Sequence, residues 1–323
     1  MSHMEMPPLQ ESGLETMRRA AQELIDRAHE DINALYRQDT DKPLERREYH
    51  NIGHTKGVEK NAERILRTIQ EADSSLGVTP RDVILARLIA AYHDIDQSQD
   101  KPNEVKENVE GEELTKSLRK RFIATIEKNS AGILLGRMQQ MNEEQGELFT
   151  EHDKDIVKEA ILATVPGFDR SLGTVTQPNL HEDASFITKA VALADLGAMM
   201  GGGEEFLEDG NRVFREDNID IAEALEHPEM IDERKKRYFA TRIQNWYRTQ
   251  VSFVEGRQQI FEIQLLSFPE SVRDKVKELF KFDEAIAAAR QRIADIENAT
   301  QAGRPYSFEQ MMESMGYALP SAH

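Results

Sequence analysis

Apolar side chains recur along this chain in steps of three and four residues and almost never in sustained steps of two, which restricts it to helices. Leu14, Met17, Ala21, Leu24, Ile25, Ala28 and Ile32 mark one face of a helix over 14–35. Val58, Ala62, Ile65 and Ile69 mark a second over 51–72. Thr79-Pro80 reads as an N-cap followed by proline at the first helical position, opening a helix through Ala91. Similar spacing predicts helices near 114–127, 153–164, 184–200, 232–268 and 270–299, with the polar stretch 96–111 as a loop. No stretch alternates long enough to argue a sheet, and there is no internal repeat, so the expected fold is all-α. A chain of 323 residues can bury a substantial core. Its expected organisation is a flexible segment over 1–13, one helical domain over 14–300 and a tail over 301–323. In that tail Ser307, Phe308 and Gln310 read as a capping box, and Phe308, Met311, Met312 and Met315 share a face, as in a short docked helix.

Charge narrows the chemistry. A net charge of −18 opposes a phosphate backbone, so a nucleic-acid polymer is not the expected partner. A small phosphate ester stays compatible, because a bound divalent cation inverts the field locally. The chain has no cysteine, hence no disulfide, zinc–thiolate site or thiol nucleophile, and any metal must rest on His and carboxylate ligands. The longest apolar runs, 83–86 and 88–92, fall far short of a bilayer span, and 1–13 lacks the apolar stretch of a secretory signal. A cytoplasmic protein without a membrane partner is expected, and a homo-oligomer is left open. Gly201-Gly202-Gly203 is followed by Glu204 and Glu205 rather than by the Lys-Ser/Thr of a phosphate loop, so a helix-ending loop is the better account.

Four residues compose a coherent metal site. His54 shares the inward stripe of Val58, Ala62, Ile65 and Ile69. His93 and Asp94 end the apolar helix over 83–92, where a chain leaving the core can turn two consecutive side chains toward one point. Asp195 follows Ile187, Ala190, Val191 and Ala194. A carboxylate against an apolar face is costly unless paired. Two imidazoles and two carboxylates on a divalent cation (Zn, Mg, Mn or Fe) satisfy that requirement. Singly, each residue has a blander account: a hydrogen-bonded core histidine, a helix cap, an arginine's partner. Their joint occurrence favours the metal. His50, four residues before His54, is the candidate general acid, although alone it reads equally as an exposed loop residue. Gln250 and Phe253, three apart on a helix, could present an amide and a ring to one purine, though such pairs are commonplace. His152 and His181 lie in polar stretches and read as surface residues.

These residues resemble the HD superfamily of metal-dependent phosphohydrolases, whose site is a His, a His-Asp pair and a later Asp. The motif order is most similar to the class I cyclic-nucleotide phosphodiesterases: Tyr49-His50-Asn51-Ile52-Gly53-His54-Thr55, His93-Asp94-Ile95-Asp96, Ile161-Leu162-Ala163-Thr164, Ala194-Asp195-Leu196, Glu204-Glu205-Phe206 with Gly210, and Gln250-Val251-Ser252-Phe253. Where those enzymes carry a further His soon after the pair, this chain has Gln97. After Thr164 it reads Val165-Pro166-Gly167-Phe168, where they have Asp and then His. The resemblance implies an HD-domain helical bundle with additional C-terminal helices, binding one or two divalent metal ions. It implies hydrolysis of a nucleotide-like phosphodiester or phosphomonoester by metal-activated water. Within it, Asp94 bridges to a second metal, His50 protonates the departing oxygen, and Gln250 and Phe253 hold a base. Cyclic-nucleotide specificity is not implied, because the polar surroundings of the metals differ. Two other readings stand beside it. One is an HD-type di-iron oxygenase, which needs His152 or His181 at the metals. The other is a non-catalytic, metal-stabilised module that binds a nucleotide or a protein, with the helix over 270–299 as its candidate binding element.

Overall fold

The computed structural model describes residues 11–36, 46–97, 101–109 and 112–318. Most of the expected flexible segment over 1–13 and the end of the tail, 319–323, therefore lie outside the described residues.

Helices α1 (Glu11–Leu35), α2 (Ile52–Ala72) and α3 (Pro80–Tyr92) form where the apolar stripes predict them. The Asn51 side chain accepts the Gly53 N–H to start α2, while Thr79 and Asp82 make a reciprocal capping box that opens α3 with Pro80. From Val83 to Tyr92 every residue except Arg87 is buried. A helix apolar all round must lie at the centre, and α1, α2, α4 (Thr125–Gln145), α5 (Glu151–Ala163) and α6 (Phe186–Asp195) surround it.

The remaining helices are α7 (Gly203–Asp217), α8 (Ile219–Leu225), α9 (Glu233–Leu265), α10 (Glu270–Lys277), α11 (Phe282–Gln301) and α12 (Phe308–Met315). At 33 residues α9 is about 50 Å long and serves two cores. Val254, Phe261 and Leu265 enter the main one; Tyr238, Phe239, Ile243 and Tyr247 enter a smaller one with Phe214, Ile296 and the α12 methionines. The capping box at Ser307 and Gln310 forms, and Met311, Met312 and Met315 are buried, so the tail helix docks as its pattern requires. No helix among the described residues is long and apolar enough to cross a membrane.

Three expectations are corrected. The stretch taken for a loop and then a helix over 96–127 instead holds an antiparallel ladder of β1 (Lys101–Val109) and β2 (Glu112–Lys120), with α4 starting only at Thr125. These strands have no clean apolar face. They are held by β2 docking on α7 and α8, by Leu114 against the smaller core, and by Lys106–Glu113 (2.6 Å) and Lys116–Glu107 (3.4 Å) across the ladder. A smaller hairpin, β3 (Gly167–Asp169) and β4 (Thr174–Thr176), packs on α9, where a Cβ at Gly256 would stand 2.4 Å from the Leu172 carbonyl oxygen.

The helix expected over 270–299 is broken between α10 and α11, because Phe280 and Phe282 turn onto Phe261 (ring centroids 4.3 and 5.2 Å away). The helix expected over 184–200 stops at Asp195 and continues as a 3-10 turn, Gly197–Met200. The triple glycine closes that turn and also starts α7. Gly202 has φ +96°, and a Cβ on Gly203 would lie 2.6 Å from Ala288 Cβ, so glycine lets α7 abut α11.

Candidate metal centre

Three helix ends meet at one point: the start of α2 with His54, and the ends of α3 and α6 with His93, Asp94 and Asp195. One donor atom from each of these four residues lies within 4.8 Å of all the others. His54 Nε2 is 3.3 Å from His93 Nε2 and 3.3 Å from Asp195 Oδ1. His93 Nε2 is 3.3 Å from Asp195 Oδ1 and 3.4 Å from Asp94 Oδ2, while His54 Nε2 to Asp94 Oδ2 is 3.9 Å. Ligands on a metal at 2.0–2.1 Å in a tetrahedron are separated by about 3.4 Å, so the spacing suits a common cation. The donor set, two imidazole nitrogens and two carboxylate oxygens, suits a divalent one. His93 Nδ1–H donates to the Ala90 carbonyl (2.7 Å), which turns Nε2 toward the other three groups. The carbonyl ends of α3 and α6 add partial negative charge at the same place.

The electrostatics agree. Burial alone would raise Asp94, yet His93, His50 and His54 hold its carboxyl below the usual range. Burial likewise opposes ionisation of Asp195, and hydrogen bonds from His54 and His93 bring it down to about 2. Against burial, Asp94 and Asp195 in turn raise His93 well above the usual imidazole range, so the two ionised carboxylates draw positive charge to this point, which a divalent cation would supply. Among the described residues, His152 and His181 are exposed and stand outside the group.

The loop ahead of α2 brings His50 close: its Nε2 is 3.7 Å from Asp94 Oδ2. Nδ1 faces Glu216 Oε1 at 2.9 Å, and Arg121 Nη1 donates to Nε2 at 2.6 Å, so the network puts the His50 proton on Nδ1. Arg121 leaves the end of β2, so the ladder delivers this guanidinium to the site. It also binds Glu216 (3.0 Å) and Asp217 (3.1 Å). Opposite, Asp96 N–H donates to Ser130 Oγ and Asn129 donates to Asp96, tying the chain after His93-Asp94 to α4.

Three residues near the cluster carried no local signal. Glu216 lies in an ordinary acidic helix end, and Arg121 was expected inside a helix. Glu127, in the first turn of α4, is buried with one carboxylate oxygen unpartnered among the described residues; burial first, then Asp94 and Asp195, raise its carboxyl. Just before it, Ala124 takes φ +65°, a left-handed conformation uncommon for alanine.

Gln250 and Phe253 stand apart from this arrangement. A cavity of about 270 Å³ opens on His54 and Asp195, and neither residue lines it. Gln250 is buried against Gly210 of α7, with Oε1 3.2 Å from where a Cβ there would stand. The half-buried Phe253 ring faces Phe206, centroids 6.5 Å apart and planes 20° apart. The chain matches no protein-family model, no curated protein and no solved structure.

Proposed function

We propose that this protein is a metal-dependent phosphohydrolase of the HD type, acting on a small phosphodiester or phosphomonoester. The observation that carries the reading is the convergence of His54, His93, Asp94 and Asp195, with His93 locked through Ala90 so that Nε2 faces inward. A divalent cation bound by these residues would lower the pKa of water and polarise a phosphoryl oxygen.

The chain's own groups supply the rest. His50 is beside Asp94 but outside the set of donors, so it can carry a proton without occupying the cation site. The Glu216 carboxylate accepts Nδ1–H and so aims Nε2 toward Asp94, from where it can pass a proton to a departing oxygen. Arg121 would move from Nε2 onto the substrate's phosphoryl oxygens, a stronger acceptor for a guanidinium. The di-iron oxygenase reading needs more histidines than the described residues bring to the cluster.

Elemental analysis joined to turnover of bis(4-nitrophenyl) phosphate tests the proposal. The expected result is metal near stoichiometry and hydrolysis that chelation abolishes. Trace metal, the same in wild type and in Asp195→Ala, would end the metal reading, and metal without any hydrolysis would leave only a metal-stabilised module.

A further inference from the structure

His54 and Asp195 of the metal cluster line the cavity of about 270 Å³. Gly53, Gly57, Ala194 and Gly197 keep it open, and a Cβ on Gly57 would meet nothing within 4 Å. It is slightly smaller than the sites of about 300–1,000 Å³ that enclose drug-sized ligands, so only a small group fits beside the cation position. Tyr49, in the loop ahead of α2, also lines it, its ring 4.4 Å from that of His54.

The α7 wall sets the charge. It carries Glu205, Asp209 and Arg212, and the guanidinium is shared, 3.1 Å from Glu208 and 3.5 Å from Asp209. Two carboxylates against one divided cation leave the wall negative and rich in acceptors. Asp209 is only 21% exposed, and its one ion pair among the described residues is the long contact to Arg212. Burial, with Glu205 and Glu208 adding to it against Arg212, lifts its carboxyl to about 6. This is a carboxylate short of a positive partner. A second phosphate or carboxylate would be repelled there, whereas an ammonium would complete it.

Building on the phosphohydrolase reading, we infer that the cavity binds the organic group of the substrate and selects a small amino alcohol, with phosphate at the His54–Asp195 end and a cationic amine against Asp209. The substrate class is a phosphate ester bearing an amine a few bonds from phosphorus.

Calorimetry on manganese-loaded protein with three probes of similar size tests this: 2-aminoethyl phosphate, ethyl phosphate and carboxymethyl phosphate. The amine should bind about tenfold more tightly than ethyl phosphate, the effect of a charged hydrogen bond, and the carboxylate more weakly than either. Asp209→Asn should bring the amine-to-ethyl ratio within about twofold of unity. Gly57→Leu, which fills open space without removing a charge, should lower the affinity ratio of aminoethyl phosphate to inorganic phosphate by about tenfold. Equal binding of amine and ethyl probes, or a preference that survives Asp209→Asn, would overturn the inference and leave the hydrolase reading intact. An amine preference without hydrolysis of any ester would do the reverse.

Discussion

Glu216 Oε1 accepts His50 Nδ1–H at 2.9 Å, and Oε2 of the same carboxylate accepts the backbone N–H of Tyr49 (2.7 Å) and of His50 (3.0 Å). One buried side chain at the end of α7 thereby fixes the loop ahead of α2 and the ring it presents. Burial alone would raise the Glu216 carboxyl, but His50, Arg121 and Arg47 together hold it below the usual range of about 4.5. Glu216→Gln strands these partners and should cost about 3–5 kcal/mol in denaturant unfolding at pH 7. Because the folded pKa lies below the unfolded one, this stabilisation is present above about pH 4.5 and fades as pH falls through the folded value. Wild type and variant should converge in acid. A constant gap across pH would show that the amide merely packs badly.

His50→Ala should keep its metal and lose turnover. A general acid contributes about 10²–10⁴-fold. An alkyl phosphodiester, whose alkoxide needs a proton, should suffer that loss, whereas a 4-nitrophenyl ester should be much less affected. Equal losses on both would reassign His50 to holding phosphate.

Asp94→Ala and His93→Ala should each lose bound metal and melt at the temperature of chelated wild type. A cation held by these residues would tie together the ends of three helices, so its binding would add to stability, by about 2.7 kcal/mol when free metal is a hundred times its dissociation constant. Metal content unchanged in both variants would place the ion elsewhere.

The four donors were legible in the sequence because each ends or begins an apolar helix, where inward direction follows from spacing. Asp94 follows α3, and His54 shares the stripe of Val58 and Ala62. The groups around them were not legible. Glu216 lies 166 residues from His50. Arg121 is aimed by a ladder whose strands are stabilised through contacts with α7 and α8, not by their own pattern. The break between α10 and α11 has the same origin: Phe280 and Phe282 pack on Phe261 in preference to continuing a helix that local propensity allows.

Phe253→Ala tests the base clamp. The ring packs on Phe206 outside the cavity lining, and the Phe253 carbonyl accepts from Thr174 Oγ1 at 2.8 Å. Removing a half-buried ring should cost about 2–3 kcal/mol, somewhat less than full burial would give. Activity on a nucleotide and on a diester lacking a base should fall together. A rise in KM confined to the nucleotide, at unchanged melting temperature, would restore the clamp.

Asp209 should make the protein more stable in mild acid than its other carboxylates allow. Its folded pKa is raised to about 6 from 3.8, so the folded state binds the proton more tightly than the unfolded chain. The penalty is absent below about pH 3.8, grows through the interval and is complete above pH 6. Two units correspond to about 3 kcal/mol, and partial exposure brings this nearer 2. Asn cannot ionise, so Asp209→Asn should gain about that much at pH 8 and nothing at pH 4. Against the gain stands the Arg212 contact, which at 3.5 Å is worth less than about 1 kcal/mol. Glu205 and Glu208 on the same helix also repel the charge and remain in the variant, while His54, Asp195 and the neutral Tyr49 line the other walls. Denaturant unfolding at the two pH values decides. A loss of stability at pH 8 would mean that the Arg212 pair outweighs desolvation and that Asp209 is there for the fold. A gain would identify a carboxylate that costs the folded state free energy and whose value must lie in what it binds.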